Sequence, residues 1–161
     1  MGVSGCGKST IASKLSEALE ATCLDTDDYH PPQNIAKMRR GEALQDEDRW
    51  PWLKHFAETM TSHNGVVVGA CSALRQTYRE HLTRAAGEPV LFVYLKGTKV
   101  LIRQRMMARE GHFMPDSLLD SQFATLEPPT ADELALSVDI HGTTQQIIES
   151  ILTAMKTQLF P

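Results

Sequence analysis

The sequence has few of the features that mark membrane, secreted or nucleic-acid-binding proteins. Its 161 residues include only three cysteines, an odd number without zinc-type pairing, which indicates free thiols in a reducing compartment. No apolar run approaches the roughly 20 residues that a membrane-spanning helix needs, and we expect no secretory signal peptide. A net charge of −4 argues against a general binder of nucleic acid or anionic membranes. These absences predict a cytosolic protein without nucleic acid or membrane as a partner.

Apolar segments at 21–25, 66–70, 90–95 and 136–140 alternate with stretches of helical spacing, including a predicted helix over residues 71–85. Helices that alternate with short buried strands are typical of an α/β fold with a parallel sheet. Hydrophobic residues make up 42% of the chain, which is enough for the core of one domain that spans residues 1–161.

A glycine-rich motif opens the chain. Gly2, Gly7, Lys8 and Ser9 fit G-x-x-x-x-G-K-[ST], the phosphate-binding loop of nucleotide-dependent proteins. Glycines let backbone N–H groups approach phosphate oxygens, Lys8 brings a cation to the β- and γ-phosphates, and Ser9 offers a hydroxyl to Mg²⁺. We therefore expect ATP and Mg²⁺ as cofactors. The ATP-binding residues expected in this loop are Gly2, Val3, Ser4, Gly5, Cys6, Gly7, Lys8, Ser9 and Thr10.

A phosphate loop normally follows a strand in the middle of a parallel sheet, but this one begins at residue 2. A sheet without its central strand leaves backbone groups unpaired on two inner edges. We therefore expect that roughly half a dozen upstream residues, about the length of one strand, are missing from this sequence.

Two acidic residues stand two apart at the carboxyl end of the segment at 21–25. If the chain stays extended there, the side chains of Asp25 and Asp27 lie on one side, about 7 Å apart. One carboxylate can take a proton from an attacking hydroxyl, and the other, at Asp25, can join Ser9 in holding Mg²⁺. A helix cap or a solvated turn is the structural alternative.

The segment at 66–70 ends in Cys71 and Ser72 rather than in the aspartate that many phosphate-loop proteins use for Mg²⁺. A machine that couples hydrolysis to motion is therefore less favoured than a small-molecule kinase.

Basic residues fall into two groups. Arg103, Arg105 and Arg109 line a predicted helix, where an arginine can neutralise charge during phosphoryl transfer or simply face solvent. The second group suits an acceptor that carries a carboxylate and several hydroxyls, although Arg79 is equally compatible with a structural role. Its members are His30, Lys37, Arg75 and Arg79. We interpret Trp50, Trp52, Tyr78 and Phe123 as packing residues.

With these residues gathered, the chain resembles the small gluconokinase family of phosphate-loop kinases over nearly its whole length. The His30-Pro31, Cys71-Ser72-Ala73-Leu74 and Gly111-His112-Phe113 segments, in this order, are far more specific than the phosphate loop. Cys6 replaces the serine that is more usual at its position. The other matched segments are residues 1–5, 7–9, 25–28, 34, 37–38, 46–49, 51–53, 75, 78–79, 109–110, 114–115, 122–123, 126–127 and 131–133.

The resemblance implies ATP-dependent phosphorylation of the D-gluconate 6-hydroxyl to give 6-phospho-D-gluconate and ADP. It also implies a three-layer fold like nucleoside-monophosphate and shikimate kinases, with sheet order 2-3-1-4-5 counted from the strand before the loop. An acceptor region at about residues 28–60, a lid at about 105–127 and a homodimer are expected with it.

The resemblance also assigns individual residues. It implies that Asp27 is the base for the 6-hydroxyl, with Lys8 and Arg109 as the other catalytic residues and Arg105 on ATP. The expected substrate-binding residues are Asp27, His30, Lys37, Arg49, Arg75, Arg79 and His112. The alternatives are a kinase for another small hydroxy acid such as shikimate, and a nucleotide-binding protein that has lost catalysis.

Overall fold

The computed structural model describes residues 1–108 and 116–159. Within these residues, the strands are β1 (Thr22–Asp25), β2 (Val67–Ala70), β3 (Phe92–Lys96) and β4 (Ala135–Asp139). The helices are α1 (Lys8–Leu19), α2 (Pro32–Arg39), α3 (Asp46–Thr61), α4 (Gln76–Ala86), α5 (Lys99–Met107), α6 (Asp116–Thr125) and α7 (Thr144–Leu159). A 3₁₀ turn (Thr26–Tyr29) follows β1 directly.

The strands pair in two parallel couples. β1 pairs with β2 in a register that places Thr22 opposite Val67, and β3 pairs with β4 with Phe92 opposite Ala135. Among the described residues, β2 and β3 do not pair with each other. The predicted α/β class with parallel strands is confirmed, and the couples correspond to the outer pairs of the expected order, 2-3 and 4-5.

Met1 and Gly2 lie between the two couples. The Met1 amine donates to the Val93 carbonyl at 2.5 Å, and the Leu95 N–H donates to the Met1 carbonyl at 3.0 Å. The Gly2 N–H points the other way and donates to the Ser72 carbonyl at 3.1 Å. Successive residues of a central parallel strand bond alternately to its two neighbours. Met1 and Gly2 therefore follow the path expected of the end of that strand.

A cavity of about 310 Å³ extends from Met1 between β2 and β3. Apolar side chains from α1, α3 and both strands line it, among them Ile11, Leu15, Phe56 and Val93. The cavity lies between β2 and β3, which do not pair with each other among the described residues.

Helices cover both faces of the strands. One core cluster joins α1, α5 and α7 through Ile11, Ile102 and Ile151, and the other joins α3 and α4 through Phe56 and Leu82. This packing gives a three-layer arrangement in which the carboxyl ends of β1 and β2 lie beside the phosphate loop.

Within the part of the chain that the structure describes, no helix has both the length and the apolar character to cross a membrane.

The start of α4 differs from the prediction. The sequence predicts a helix from Cys71, but α4 begins at Gln76. Ala73 has a left-handed backbone with φ 42°, which an α-helix does not accommodate. The carbonyls of Ala73 and Leu74 accept hydrogen bonds from the buried Arg79 guanidinium. This prediction was wrong because tertiary contacts hold residues 71–75 as a loop.

Candidate active site

The phosphate loop (residues 2–9) turns back on itself before α1. Gly5 and Gly7 have left-handed backbones, with φ of 81° and 99°, which glycine adopts at little cost. A Cβ on Gly7 would meet no atom within 4 Å, whereas one on Gly5 would lie 2.5 Å from Met106 Cγ. The loop is therefore packed against α5 at Gly5 and open at Gly7, where α1 begins and its N-terminal N–H groups favour an anion.

The side chains of the loop have different surroundings. Lys8 donates from Nζ to the Val3 carbonyl at 3.1 Å. Val3 and Cys6 are buried, at 2% and 1% exposure, so their peptide groups rather than their side chains can reach a phosphate. Ser9 and Thr10 are exposed. These positions fit the predicted ATP-binding role of the loop, which stays a prediction for each residue.

Gln122 of α6 holds the loop from the other side. Its Oε1 accepts the Ser4 N–H at 2.6 Å, and its Nε2 donates to Ser4 Oγ at 3.0 Å. The sequence analysis assigned Gln122 no role, because a contact across 118 residues leaves no local signal. Gln122 therefore positions a peptide group that we expected to face ATP.

Asp25 stands at the junction of the loop and β1. Its Oδ2 accepts the Ser9 hydroxyl at 2.7 Å, and its Oδ1 accepts the Asp27 N–H at 3.1 Å. The structure thus brings together the two residues predicted to hold Mg²⁺. The chain does not stay extended from Asp25 to Asp27, because Asp25 caps the 3₁₀ turn and bends the backbone, so the structure shows the helix cap that the sequence left open as the alternative.

Asp27 is exposed, with 84% of its side-chain surface accessible. Its Oδ1 lies 3.9 Å from Nε2 of His30, whose ring stacks on Trp52 with centroids 3.9 Å apart. Burial lowers the pKa of His30, and the nearby Asp27 carboxylate only partly offsets this effect. His30 is therefore neutral at neutral pH, and its buried Nδ1 has no hydrogen-bond partner in the described structure.

Trp52 does more than the packing that the sequence suggested. Its indole Nε1 donates to the Thr26 carbonyl at 2.8 Å, between Asp25 and Asp27 in the chain. A cavity of about 480 Å³ opens beside this stack and is lined by His30, Trp52 and His55 among others. The stack of His30 on Trp52 therefore forms a wall next to the exposed carboxylate of Asp27.

The start of α3 gathers two of the predicted acceptor residues around Asp46. Arg49 Nη1 donates to Asp46 Oδ1 at 2.8 Å, and Arg75 Nη1 donates to Asp46 Oδ2 at 3.1 Å. Tyr78, interpreted from the sequence as packing, donates its hydroxyl to Asp46 Oδ1 at 2.6 Å. The sequence analysis included Asp46 only in the matched segment 46–49 and gave it no role, although an arginine three residues later was an available signal.

Lys37 pairs with the next acid of the same helix turn. Its Nζ lies 2.7 Å from both carboxylate oxygens of Asp48. The hydrogen bond from Lys37 and a further one from the Gln45 backbone hold the pKa of Asp48 below its ordinary value. This pair ties α2 to α3, and Lys37 remains partly exposed.

Arg79 is not available to a substrate in this structure. Its side chain is 1% exposed, its Nε and Nη2 donate to Glu133 at 2.5 and 2.9 Å, and its Nη1 donates to the Ala73 carbonyl. The guanidinium of Arg79 holds the pKa of Glu133 below its ordinary value. These contacts favour a structural role for Arg79 over the acceptor-binding role.

The predicted lid is described only in part. Arg105 donates from Nη2 to the Ile140 carbonyl at 2.5 Å, beyond the carboxyl end of β4. Arg109 and His112 lie outside the described residues. Their predicted roles in catalysis and acceptor binding therefore stay predictions.

Together these residues provide an anion-binding loop with a lysine, a hydroxyl–carboxylate pair that suits a hard divalent cation, and an exposed carboxylate close by. An arginine cluster stands at the beginning of α3. Inward N–H groups stabilise a phosphoryl group in transfer, and a free carboxylate can accept a proton from a hydroxyl. The arrangement can therefore perform phosphoryl transfer from a nucleotide to an anionic alcohol.

Known proteins match this chain over most of its length. A family model described as an AAA domain matches residues 1–129. The chain is 43% identical over 160 residues to the thermoresistant gluconokinase of Escherichia coli (strain K12), covering 97% of this chain and 91% of that relative.

Solved structures agree with these matches. The crystal structure of a gluconokinase from Sinorhizobium meliloti 1021 superposes with a TM-score of 0.89 at 39% identity, covering 98% of this chain and 89% of that one. Shikimate kinase from Aquifex aeolicus vf5 superposes with a TM-score of 0.66 at 15% identity, covering 99% of this chain and 96% of that one, and shows likeness of fold alone. The predicted phosphate-loop kinase fold is confirmed.

Proposed function

This chain belongs to the gluconokinase family, and we propose that it transfers the γ-phosphoryl group of ATP to the 6-hydroxyl of D-gluconate. The products are 6-phospho-D-gluconate and ADP. The observation that carries this proposal is the 2.7 Å hydrogen bond between Ser9 of the phosphate loop and Asp25. It joins the nucleotide-binding element to the turn that bears the exposed Asp27 carboxylate.

Asp27 is the proposed base. The 6-hydroxyl oxygen attacks the γ-phosphorus in line while Asp27 accepts the hydroxyl proton, and the bond to the ADP oxygen breaks. Lys8 and the N–H groups of the loop stabilise the negative charge on the transferring and leaving oxygens. Arg109 is proposed to add a further positive charge, and residues at about 105–127 to close over ATP.

Ser9 and Asp25 are the residues proposed to hold Mg²⁺. Both offer oxygen ligands, and Mg²⁺ is usually held by one or two protein groups together with phosphate oxygens and water. Residues 1–108 and 116–159 contain no group of three or more His, Cys, Asp or Glu side chains placed to hold a metal. When bound, the ion neutralises charge on the β- and γ-phosphate oxygens.

The acceptor is proposed to bind between the 3₁₀ turn and the start of α3, within residues 28–60 together with Arg75. His30, Lys37, Arg49 and Arg75 remain the proposed contacts, and His112 is proposed to join them from the lid. Arg79 is left out because its guanidinium is buried against Glu133. A homodimer and a cytosolic location complete the proposal, and the three unpaired cysteines support a reducing compartment.

The alternative acceptors are less favoured. The likeness to shikimate kinase is one of fold, at 15% identity, whereas relatives named as gluconokinases reach 43% over nearly the whole chain. A nucleotide-binding protein without catalysis would not need both Lys8 and an exposed carboxylate beside the loop.

An acceptor panel tests the proposed function. ADP release is followed with saturating ATP and Mg²⁺ in the presence of D-gluconate, shikimate or D-glucose, and without an acceptor. We expect turnover with D-gluconate at least about 100-fold above every other condition, because polar groups placed to bond the hydroxyls of one acceptor are left unpaired by an acceptor of another shape. Equal turnover with shikimate, or ADP release that needs no acceptor, would refute the assignment.

A further inference from the structure

The residues around Asp46 form a compact charged group with a single anion at its centre. The Asp46 carboxylate accepts from Tyr78 at 2.6 Å, from Arg49 at 2.8 Å and from Arg75 at 3.1 Å. Arg49 Nη1 also lies 3.2 Å from the Tyr78 hydroxyl. We call Asp46, Arg49, Arg75 and Tyr78 the Asp46 cluster.

The aromatic ring of Tyr78 packs against the guanidinium groups of Arg49 and Arg75. The guanidinium carbons of Arg49 and Arg75 lie 5.6 and 5.7 Å from the centre of its ring, within the range of a cation–π contact. Burial and the hydrogen bond to Asp46 raise the pKa of Tyr78, so its hydroxyl stays a donor. Both guanidinium groups are thus fixed in orientation by an aromatic face and by a carboxylate.

The cluster retains capacity for a further anion. Two guanidinium cations and one carboxylate leave one net positive charge, which matches a monocarboxylate. A guanidinium has five N–H donors, and the bonds to Asp46 use only Nη1 of Arg49 and of Arg75. The side chains of Arg49 and Arg75 are 30% and 42% exposed, so a ligand can reach them.

The cluster also lies beside the proposed reaction centre. Arg75 precedes α4 in the loop that follows β2, and this loop bonds to the phosphate loop through the Ser72 carbonyl and Gly2. Asp46 and Arg49 share α3 with Trp52, whose indole bonds to the carbonyl of Thr26 in the turn that bears Asp27. α3 therefore connects Asp46 and Arg49 to the turn that bears the proposed base.

From this geometry we propose that Asp46 is a positioning residue, which holds Arg49 and Arg75 in the orientation that binds the carboxylate of the acceptor. The proposal rests on the proposed function, because it assigns the two arginines to the carboxylate of gluconate, at the end remote from the reacting 6-hydroxyl. Preformed, doubly anchored arginines bind a carboxylate without the entropy loss of ordering two long side chains. Asp46 thus acts on acceptor recognition through the arginines and does not touch the reacting atoms.

The Asp46→Asn variant tests this role, because the amide keeps the size of the side chain but loses its charge. We expect the KM for D-gluconate to rise about 10- to 100-fold, while the KM for ATP and kcat at saturating D-gluconate change less than about threefold. Glu17→Gln is the matched control, since Glu17 forms an exposed pair with Lys14 on α1, outside the proposed acceptor region. Its kinetic constants should equal those of the unaltered chain.

Several outcomes would overturn the proposal. An unchanged or lower KM for D-gluconate in Asp46→Asn would show that Asp46 is neutral or competes with the acceptor. A fall in kcat with an unchanged KM would place Asp46 in the chemical step. If Asp46→Asn does not fold, Tyr78→Phe keeps the test decisive: a rise of about 3- to 10-fold in the D-gluconate KM alone supports the proposal, and no rise refutes it. Absence of D-gluconate turnover by the unaltered chain refutes the proposed function instead.

Discussion

Arg75 and Arg79 stand four residues apart and have the same side chain, yet they make different contacts. Arg75 is 42% exposed and reaches Asp46 at the edge of the site, whereas Arg79 is 1% exposed and paired with Glu133. The sequence placed both among the acceptor residues because charge and spacing are the same for a solvated and a buried arginine. Their roles differ because Glu133, which lies 54 residues after Arg79 in the chain, pairs with Arg79.

The pair formed by the buried Arg79 and the partly exposed Glu133 gives a stability prediction. Arg79→Met removes the partner of the Glu133 carboxylate together with the donors to the carbonyls of Ala73 and Leu74, which costs about 3 kcal/mol. We expect the free energy of unfolding in urea to fall by about that amount. The double variant Arg79→Met/Glu133→Leu should recover part of the loss, because two apolar side chains replace both charges. A large change in the D-gluconate KM with normal stability would return Arg79 to the acceptor site.

Gln122 gives a second prediction at the residue scale. Its two hydrogen bonds hold Ser4 of the phosphate loop, and each such bond contributes roughly 1 kcal/mol. We expect Gln122→Ala to raise the KM for ATP about 5- to 20-fold and to leave the KM for D-gluconate within about twofold.

Gln145→Ala is the control for this experiment, because Gln145 makes a comparable but exposed contact with Glu149 on α7. The KM for ATP of both variants is obtained from initial rates measured over a range of ATP concentrations at fixed D-gluconate. An unaltered ATP KM in Gln122→Ala would show that the contact does not position the loop.

At the scale of helices and strands, the sequence predicts the elements that have a regular hydrophobic pattern. It does not predict the turns and loops between them. The strands fall within one or two residues of their predicted bounds because burial on one or both faces leaves a pattern in the sequence. The sequence left open whether the chain stays extended after β1, and it does not, because the capping of the Asp27 N–H by Asp25 competes with an extended backbone. The loop at 71–75 escaped prediction because its conformation depends on Arg79 and on Gly2.

For the whole molecule, the central claim is that one cleft joins a nucleotide phosphate, a metal-binding pair and a base. The phosphate loop could be read from the sequence because its chemistry is local, and Asp25 and Asp27 because they end a strand. The grouping of Asp46 with Arg75 and Tyr78 could not be read, because it depends on how α3 packs on α4.

The most direct test of this claim is the rate of D-gluconate-dependent ADP formation by the Asp27→Asn variant, with both substrates varied. We expect kcat to fall about 10²- to 10⁴-fold, the contribution of a general base, while the KM for ATP stays within about twofold, since the phosphate loop is unaltered. Asp28→Asn, in the same 3₁₀ turn, is the matched control and should keep most of its activity. An Asp27→Asn variant with the kcat of the unaltered chain would contradict the account.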